Sequence, residues 1–208
     1  MNSMMKNMTL VDFAAKVASN SPVPGGGSMA AVCGALSASL AEMVANLTVG
    51  KKKYVEVESE MKAIAEKALE IREKLLDDIQ RDSDSYDKVM ASYKMPKETD
   101  DEKIIRQNAI QEGLKLAASV PLDIAETSLE ILPLTESVVT KGNANAVTDG
   151  LVACMMARTA VLSALFNVKI NLDSITDQDF VKAMKDKVNS IETKTIESEK
   201  KILDKSPF

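Results

Sequence analysis

Hydrophobic and polar positions repeat with a helical period along almost the whole chain. Between residues 54 and 93, Val57, Met61, Ile64, Ala68, Ile71, Leu75, Ile79, Tyr86, Val89 and Tyr93 follow one another in alternating steps of three and four. This spacing predicts one long helix, or two nearly collinear ones, reaching about 60 Å at 1.5 Å per residue. One step, from Ile79 to Tyr86, is seven residues long, and the position that should fill it is Asp82. A carboxylate on the inward stripe of a regular helix is desolvated at a cost of several kcal/mol unless something compensates it. Such positions are enriched in function; the alternative is a structural ion pair or a helix end turned to solvent.

Two other segments, residues 29–49 and 151–166, are apolar on nearly every face, the pattern of helices buried on all sides. A membrane span is rejected for the first because Ser37, Ser39, Glu42 and Asn46 interrupt it. Each segment follows a loop of small residues. In the first loop, Pro22 and Pro24 fix φ, whereas Gly25, Gly26 and Gly27 open dihedrals closed to other residues. Ser28 is the predicted N-cap and Gly50 the predicted stop. Glycines before a helix N-terminus let backbone amides approach an anionic or electron-rich ligand, and the competing reading is a tight turn for close helix packing. No Gly-Lys-Ser or Gly-Lys-Thr follows and no strand-like run precedes, which excludes a nucleotide phosphate loop. The second loop, residues 142–149, brings Asn143, Asn145, Thr148 and Asp149 to a helix start. Capping accounts for one of these four, not for all.

The remaining elements follow from caps and breakers. Residues 1–8 read as a loose leader. Thr9 with Asp12 caps a short helix carrying Leu10, Phe13 and Val17 on one face. Met95-Pro96-Lys97 breaks the long helix, and Thr99 with Glu102 opens the next through a capping box. Pro121 either kinks that helix or starts a new one that Pro133 closes, and a further short helix ends at Gly142. Thr176 with Asp179 caps the last helix, whose stripe of Val181, Met184, Val188, Ile191, Thr195, Ser198 and Ile202 suits the outside of a bundle. The expected architecture is all-α: one domain over residues 9–208, a helical bundle with long helices around two buried apolar ones. Those two helices need more cover than five or six neighbours supply, which predicts a homodimer.

Composition narrows the chemistry. Aromatics are 3% of the chain against 45% hydrophobic residues, so the core is built of Ala, Leu, Ile, Val and Met, a palette for helix packing. A net charge of -5 and a pI near 5.0 argue against nucleic-acid binding. Lys51, Lys52 and Lys53 form the only basic run and complement the dipole of a helix end. Histidine is absent, so any acid–base work falls to Asp, Glu, Lys, Tyr, Ser or Cys, and no metal site is expected. Cys33 and Cys154 lie in apolar helices without metal spacing and read as small buried hydrophobes. The N-terminus shows no charged region followed by an apolar run, and a cytoplasmic protein is expected.

Pro-Val-Pro-Gly-Gly-Gly-Ser at 22–28, the lysines after Leu47-Thr48, Asp82 upstream of Met-Pro-Lys at 95–97, and Gly-Asn-Ala-Asn-Ala-Val-Thr-Asp at 142–149 together resemble the cyclodeaminase/cyclohydrolase family. This is the family of the cyclodeaminase domain of formiminotransferase-cyclodeaminase and of stand-alone bacterial methenyltetrahydrofolate cyclohydrolases. The resemblance runs from about residue 9 to about residue 203. Met95 stands where leucine is more usual and Thr148 where serine is common; neither change removes a reactive group. The resemblance implies an all-α bundle that dimerises and takes a tetrahydrofolate derivative as substrate, with no tightly bound cofactor. On it, Asp82 and Asp149 are expected to transfer protons or stabilise a cation, with Lys97 as a charged partner. Pro24, Gly25, Gly26, Gly27, Ser28, Asn143 and Asn145 are expected to bind the pterin. The expected reaction is methenyltetrahydrofolate cyclohydrolysis. Formiminotetrahydrofolate cyclodeamination and an inactive folate-binding helical protein are the alternatives. These residues include no formiminotransferase-like segment, so channelling within one polypeptide is not expected.

Overall fold

The computed structural model describes residues 4–208, which form seven α-helices and no strand: α1 Leu10–Val17, α2 Gly26–Asn46, α3 Glu58–Tyr93, α4 Asp100–Leu129, α5 Ile131–Lys141, α6 Val147–Leu172 and α7 Gln178–Leu203. α2 and α6, the two all-round apolar segments, lie antiparallel at the centre. Ser37 Oγ donates to the Ala153 carbonyl at 2.7 Å, and Gly34 faces Ala160. α3 and α4 cover one side of the pair, α5 one end and α7 the outer flank of α6.

Small side chains set how closely these helices approach. Ala31, Ala38, Ala41, Ala45, Ala153, Ala157, Ala160 and Ala164 are fully buried. A methyl group built on Gly34 would lie 2.7 Å from Ser128 Oγ and 2.8 Å from Leu75 Cδ1. By length and composition both α2 and the stretch containing α6 could cross a membrane, yet about half of each is buried within the bundle. In this fold they are core helices.

The long helix is a single element of 36 residues, preceded by a 3-10 turn at Lys52–Val57. Its predicted stripe is buried from Met61 to Ile79 and at Val89, whereas Tyr86 and Tyr93 emerge to the surface. Pro121 does not end α4. The carbonyl of Ala117, four residues earlier, takes its hydrogen bond from Asn171 Nδ2 of α6 at 2.9 Å, replacing the donor that proline lacks. Pro133 likewise closes nothing: it sits in the first turn of α5, where a helix needs no backbone donor.

Three caps differ from the expectation. Gly25, not Ser28, is the N-cap of α2, and Ser28 lies fully buried in its first turn. α2 ends at Asn46, three residues before the predicted limit, with Gly50 beyond it at φ 76° as the stop signal requires. Asp177 caps α7, its side chain accepting from the Phe180 amide, while Thr176 is held by Gln111 Oε1. The caps at Thr9 and Thr99 form as read, the latter as a complete capping box. In α1, Phe13 is buried but Leu10 is 79% exposed. The segment read as a loose leader holds a 3-10 turn at Met5–Asn7 that buries Met5 beneath α3, its amide donating to Gln80 Oε1; residues 1–3 lie outside the described part.

The outward faces of α2 and α6 stay apolar. On α2, Met29, Cys33, Leu36, Leu40, Met43 and Leu47 are exposed or half-buried and follow steps of four and three. Cys33 is thus not the buried hydrophobe expected, whereas Cys154 is fully buried and its thiol is pushed up to about 11 by desolvation. On α6, Val152, Met155, Thr159, Leu162 and Phe166 form a second such stripe. It lies between the side that meets α2 through Ala153 and Ala160 and the side that pairs with α7 through Arg158 and Lys169.

Because no side chain fits at Gly34, Gly34→Val is expected to destabilise the protein by about 1–3 kcal/mol through overpacking. A urea-unfolding midpoint that falls with an unchanged m value would show it.

Candidate active site

Asp82 occupies the predicted gap in the α3 stripe and faces the N-terminus of α2 across Gly27. A Cβ on Gly27 would lie 2.1 Å from Asp82 Oδ1, so the carboxylate reaches the backbone of the first turn only because that residue has no side chain. Ser28 Oγ lies 2.9 Å from Asp82 Oδ2, 3.0 Å from the Ile79 carbonyl and 3.2 Å from Ser83 Oγ. The Ser28 hydroxyl has one proton to give, so it donates to one of these three oxygens at a time, and Ser83 Oγ also lies 3.5 Å from Met5 Sδ. Gly26 is solvent-facing beside Asn167 of α6, whose Nδ2 would lie 3.0 Å from a Cβ there. Pro24, buried after a cis peptide, and Gly25 complete the loop.

Burial pushes the Asp82 carboxyl above the usual carboxylate range, and the negative charge of Asp78 one turn away adds to the rise. Hydrogen bonds from the Ser28 side chain and backbone oppose it. Asp82 therefore holds a proton more readily than an ordinary aspartate while remaining partly open to solvent, the condition of an acid–base group. Asp78 itself is 3% exposed and enclosed by Lys74 (2.8 Å), Arg81 (3.0 Å) and, through both cations, Asp123. This network pins α3 to α4 with its charges balanced, and it was not legible as inward-facing because Asp78 lies off the regular stripe.

Asn143, Asn145 and Asp149 collect at the other end of α2. Asn143 is buried; its amide donates to Thr48 Oγ1 at 2.8 Å, its Nδ2 to the Leu47 carbonyl at 3.1 Å, and its Oδ1 accepts from the Asn145 amide. It ties the start of α6 to the end of α2. The Asn145 side chain is exposed, Asp149 is half-buried in the first turn of α6, and neither side chain has a partner among the described residues. Tyr54, which the sequence did not single out, accepts the Ala144 amide at 3.0 Å with Lys53 over its ring. That amide, together with nearby Lys53 and Lys51, draws the phenol below its ordinary range. Its placement just after the lysine run was the one available signal.

The two groups are far apart within one chain. α2 has 21 residues, so its ends are about 30 Å apart at 1.5 Å per residue. The structure brings Pro24, Gly25, Gly26, Gly27, Ser28 and Asp82 together at one end and Asn143, Asn145 and Asp149 at the other. Lys97 joins neither: it is exposed in the α3–α4 connection, and Tyr93, the last residue of α3, is already about 16 Å along the helix from Asp82. Among the described residues, no three His, Cys, Asp or Glu side chains converge on a point where a metal ion could bind.

The direction of the Asp82 shift fixes a stability prediction. A folded-state pKa above the unfolded value makes the ionised form a burden that is absent in acid and grows as pH rises through the folded pKa. Asp82→Asn is therefore expected to raise the thermal midpoint at pH 7 and to lose that advantage below the ordinary aspartate pKa. Parallel melting curves across this range test it.

The family described as Formiminotransferase-cyclodeaminase matches residues 9–190. A protein named methenyltetrahydrofolate cyclohydrolase from Methylorubrum extorquens is 44% identical over 177 residues, 85% of each chain. Formimidoyltransferase-cyclodeaminase of Rattus norvegicus is 34% identical over 179 residues; the match covers 86% of this chain but only 33% of that protein. In three dimensions, the crystal structure of formiminotetrahydrofolate cyclodeaminase from Thermotoga maritima superposes with a TM-score of 0.87 at 34% identity, covering 96% of each chain. With its glycine-lined carboxylate, its helical architecture and these matches in agreement, the chain belongs to the formiminotransferase-cyclodeaminase family.

Proposed function

We propose that this protein is a methenyltetrahydrofolate cyclohydrolase, converting methenyltetrahydrofolate and water into formyltetrahydrofolate. The observation that carries the reading is Asp82, a largely buried carboxyl of raised proton affinity held by Ser28 against the glycine mouth of α2. The match over 85% of a relative bearing that name supports the choice of reaction.

The substrate carbon is cationic and bridges two nitrogens. Water adds to it while the Asp82 carboxylate accepts one water proton, giving a neutral tetrahedral carbon bearing a hydroxyl. The protonated Asp82 then donates to the departing nitrogen as that C–N bond breaks. The hydroxyl gives its proton to solvent and becomes the formyl carbonyl. One water is consumed and one proton released, which balances the loss of the cation. A carboxyl whose pKa is raised from the usual range performs both transfers better than an ordinary aspartate. Pro24 and the amides at Gly25–Gly27 bind the pterin, while the buried Ser28 holds Asp82 in place; from the second chain of a homodimer, Asn145 supplies an amide and Asp149 a second carboxylate on the loop that Asn143 positions, and Lys97 is an exposed cation. No tightly bound cofactor takes part. The active unit is a homodimer that buries the apolar stripes of α2 and α6, and it works as a soluble cytoplasmic protein, a reducing setting that suits two free thiols.

The second reading is formiminotetrahydrofolate cyclodeamination, in which a nitrogen attacks the formimino carbon, closes the ring and expels ammonia. The 0.87 TM-score to a protein of that name favours keeping it. The same carboxyl would serve there as the donor to ammonia.

Purified protein is expected to accelerate the loss of methenyltetrahydrofolate near-ultraviolet absorbance, and Asp82→Asn to lower that rate by about 10²–10⁴-fold, the usual contribution of a positioned acid–base group. No acceleration, with ammonia release from formiminotetrahydrofolate instead, would establish the second reading; silence on both would leave a folate-binding protein without turnover.

A further inference from the structure

We infer that Ser83, behind Asp82 on α3, is a positioning residue for the proton transfers: with Ser28 it forms a hydroxyl relay, ending at the Met5 thioether, that turns toward the carboxyl when it is ionised and away when it is protonated. This rests on the reading of Asp82 given above and specifies how one carboxyl serves first as base and then as acid.

The first observation is an exception to a local rule. A serine within a helix ordinarily returns its hydroxyl to a carbonyl three or four residues earlier, as Ser39, Ser85, Ser92 and Ser119 do here. For Ser83 the carbonyl four residues earlier is that of Ile79, and Ser28 Oγ of α2 lies 3.0 Å from it. The Ser83 hydroxyl lies instead between two atoms of other elements, Ser28 Oγ at 3.2 Å and Met5 Sδ at 3.5 Å.

The second observation is enclosure. Ser28 is fully buried, Ser83 is 1% exposed and Met5 6% exposed. Each hydroxyl proton must therefore find its acceptor within the cluster. The N-terminal turn holds Met5 in place, through its amide on Gln80 Oε1 and through the neighbouring Lys6 on Asp77.

Two arrangements accommodate both protons. With Asp82 ionised, Ser28 donates to Oδ2 at 2.9 Å and Ser83 donates to Ser28 Oγ. Donation in series strengthens the bond to the carboxylate. With Asp82 protonated, its oxygen is a poorer acceptor, so Ser28 turns to the Ile79 carbonyl and Ser83 to the thioether. Only hydroxyl hydrogens rotate between the two, and the relay can follow the carboxyl through each turnover. A fixed cation in this place would hold the carboxyl ionised and oppose its second task.

Few charged groups face Asp82. On α3, Asp78 lies one turn away, held by Lys74 and Arg81. The first turn of α2 presents no titratable side chain, and the N-terminal turn presents Lys6, already paired with Asp77. Under the reading above, Asp149 of a second chain is the other carboxylate. None of these groups is hydrogen-bonded to Ser83, whose bonds among the described residues are to Ser28 and Met5, so a change at Ser83 reaches Asp82 by way of Ser28.

Ser83→Ala removes the outer donor and leaves the Ser28 bond. The Asp82 carboxyl carbon can be followed by carbon nuclear magnetic resonance in aspartate-labelled protein and assigned by the signal lost in Asp82→Asn. In Ser83→Ala it is expected to titrate about 0.5–1 pH unit higher than in the wild type. The acid limb of kcat with methenyltetrahydrofolate, where Asp82 must be ionised to accept the water proton, moves up by the same amount. At a fixed pH on that limb the rate falls about 3- to 10-fold with KM unchanged, because Ser83 touches no substrate. Met5→Leu keeps the packing but removes the competing acceptor, which leaves Ser83 turned to Ser28; Asp82 then titrates lower than in the wild type, by a smaller amount. A Ser83→Ala carboxyl that titrates at or below the wild-type pH would overturn the inference. So would an upward shift in Met5→Leu as large as that in Ser83→Ala, which would make packing of the N-terminal turn the cause. The resonance titration needs no turnover, so it decides the relay even where the wild type is silent on the folate, the result that fails the cyclohydrolase reading alone.

Discussion

Everything in this fold depends on how closely α2 approaches its neighbours. Gly27, Ser28, Ala31, Gly34, Ser37, Ala38, Ala41 and Ala45 give α2 an inner surface with almost no side-chain height, and all are buried. The approach keeps the central helices in close contact with few aromatic side chains in the core. It also leaves room at Gly27 for one polar group from outside the helix. Asp82 takes that room, and the packing rule that builds the core thereby places a carboxylate against a helix start.

The carboxylate keeps its character because packing and polarity oppose each other there. Desolvation and the nearby charge of Asp78 raise its proton affinity, while Ser28 moderates the rise without cancelling it. Ser28 can do this only from inside the first turn. As an N-cap its hydroxyl would have been spent on its own helix, and Gly25 in that position frees it for Asp82. The Asp78–Lys74–Arg81–Asp123 network serves differently: each carboxylate there has cationic partners, so it locks two helices together.

Much of this was readable beforehand. The step of seven between Ile79 and Tyr86 identified Asp82 as an inward carboxylate; periodicity gave the long helical stretch and the two apolar helices, and the Thr99–Glu102 pair gave the capping box. Where local signals left the outcome open or pointed elsewhere, a distant residue had repaired a local defect. Pro121 stays within α4 because Asn171 supplies the missing donor, and Thr176 is not a cap because Gln111 holds it. The all-round apolarity of α2 also concealed that one of its faces is left uncovered, Leu36 and Met43 included.

The sequence by itself determined the class of fold, its long helices and the residue types able to do acid–base chemistry without histidine, because helical periods, caps and side-chain chemistry are local properties. Only the tertiary structure decided that Gly27 makes room for Asp82, that Asn143 joins the end of α2 to the start of α6, and that the two polar loops stand at opposite ends of one helix. Those are distances between residues far apart in the chain, and no local pattern encodes them.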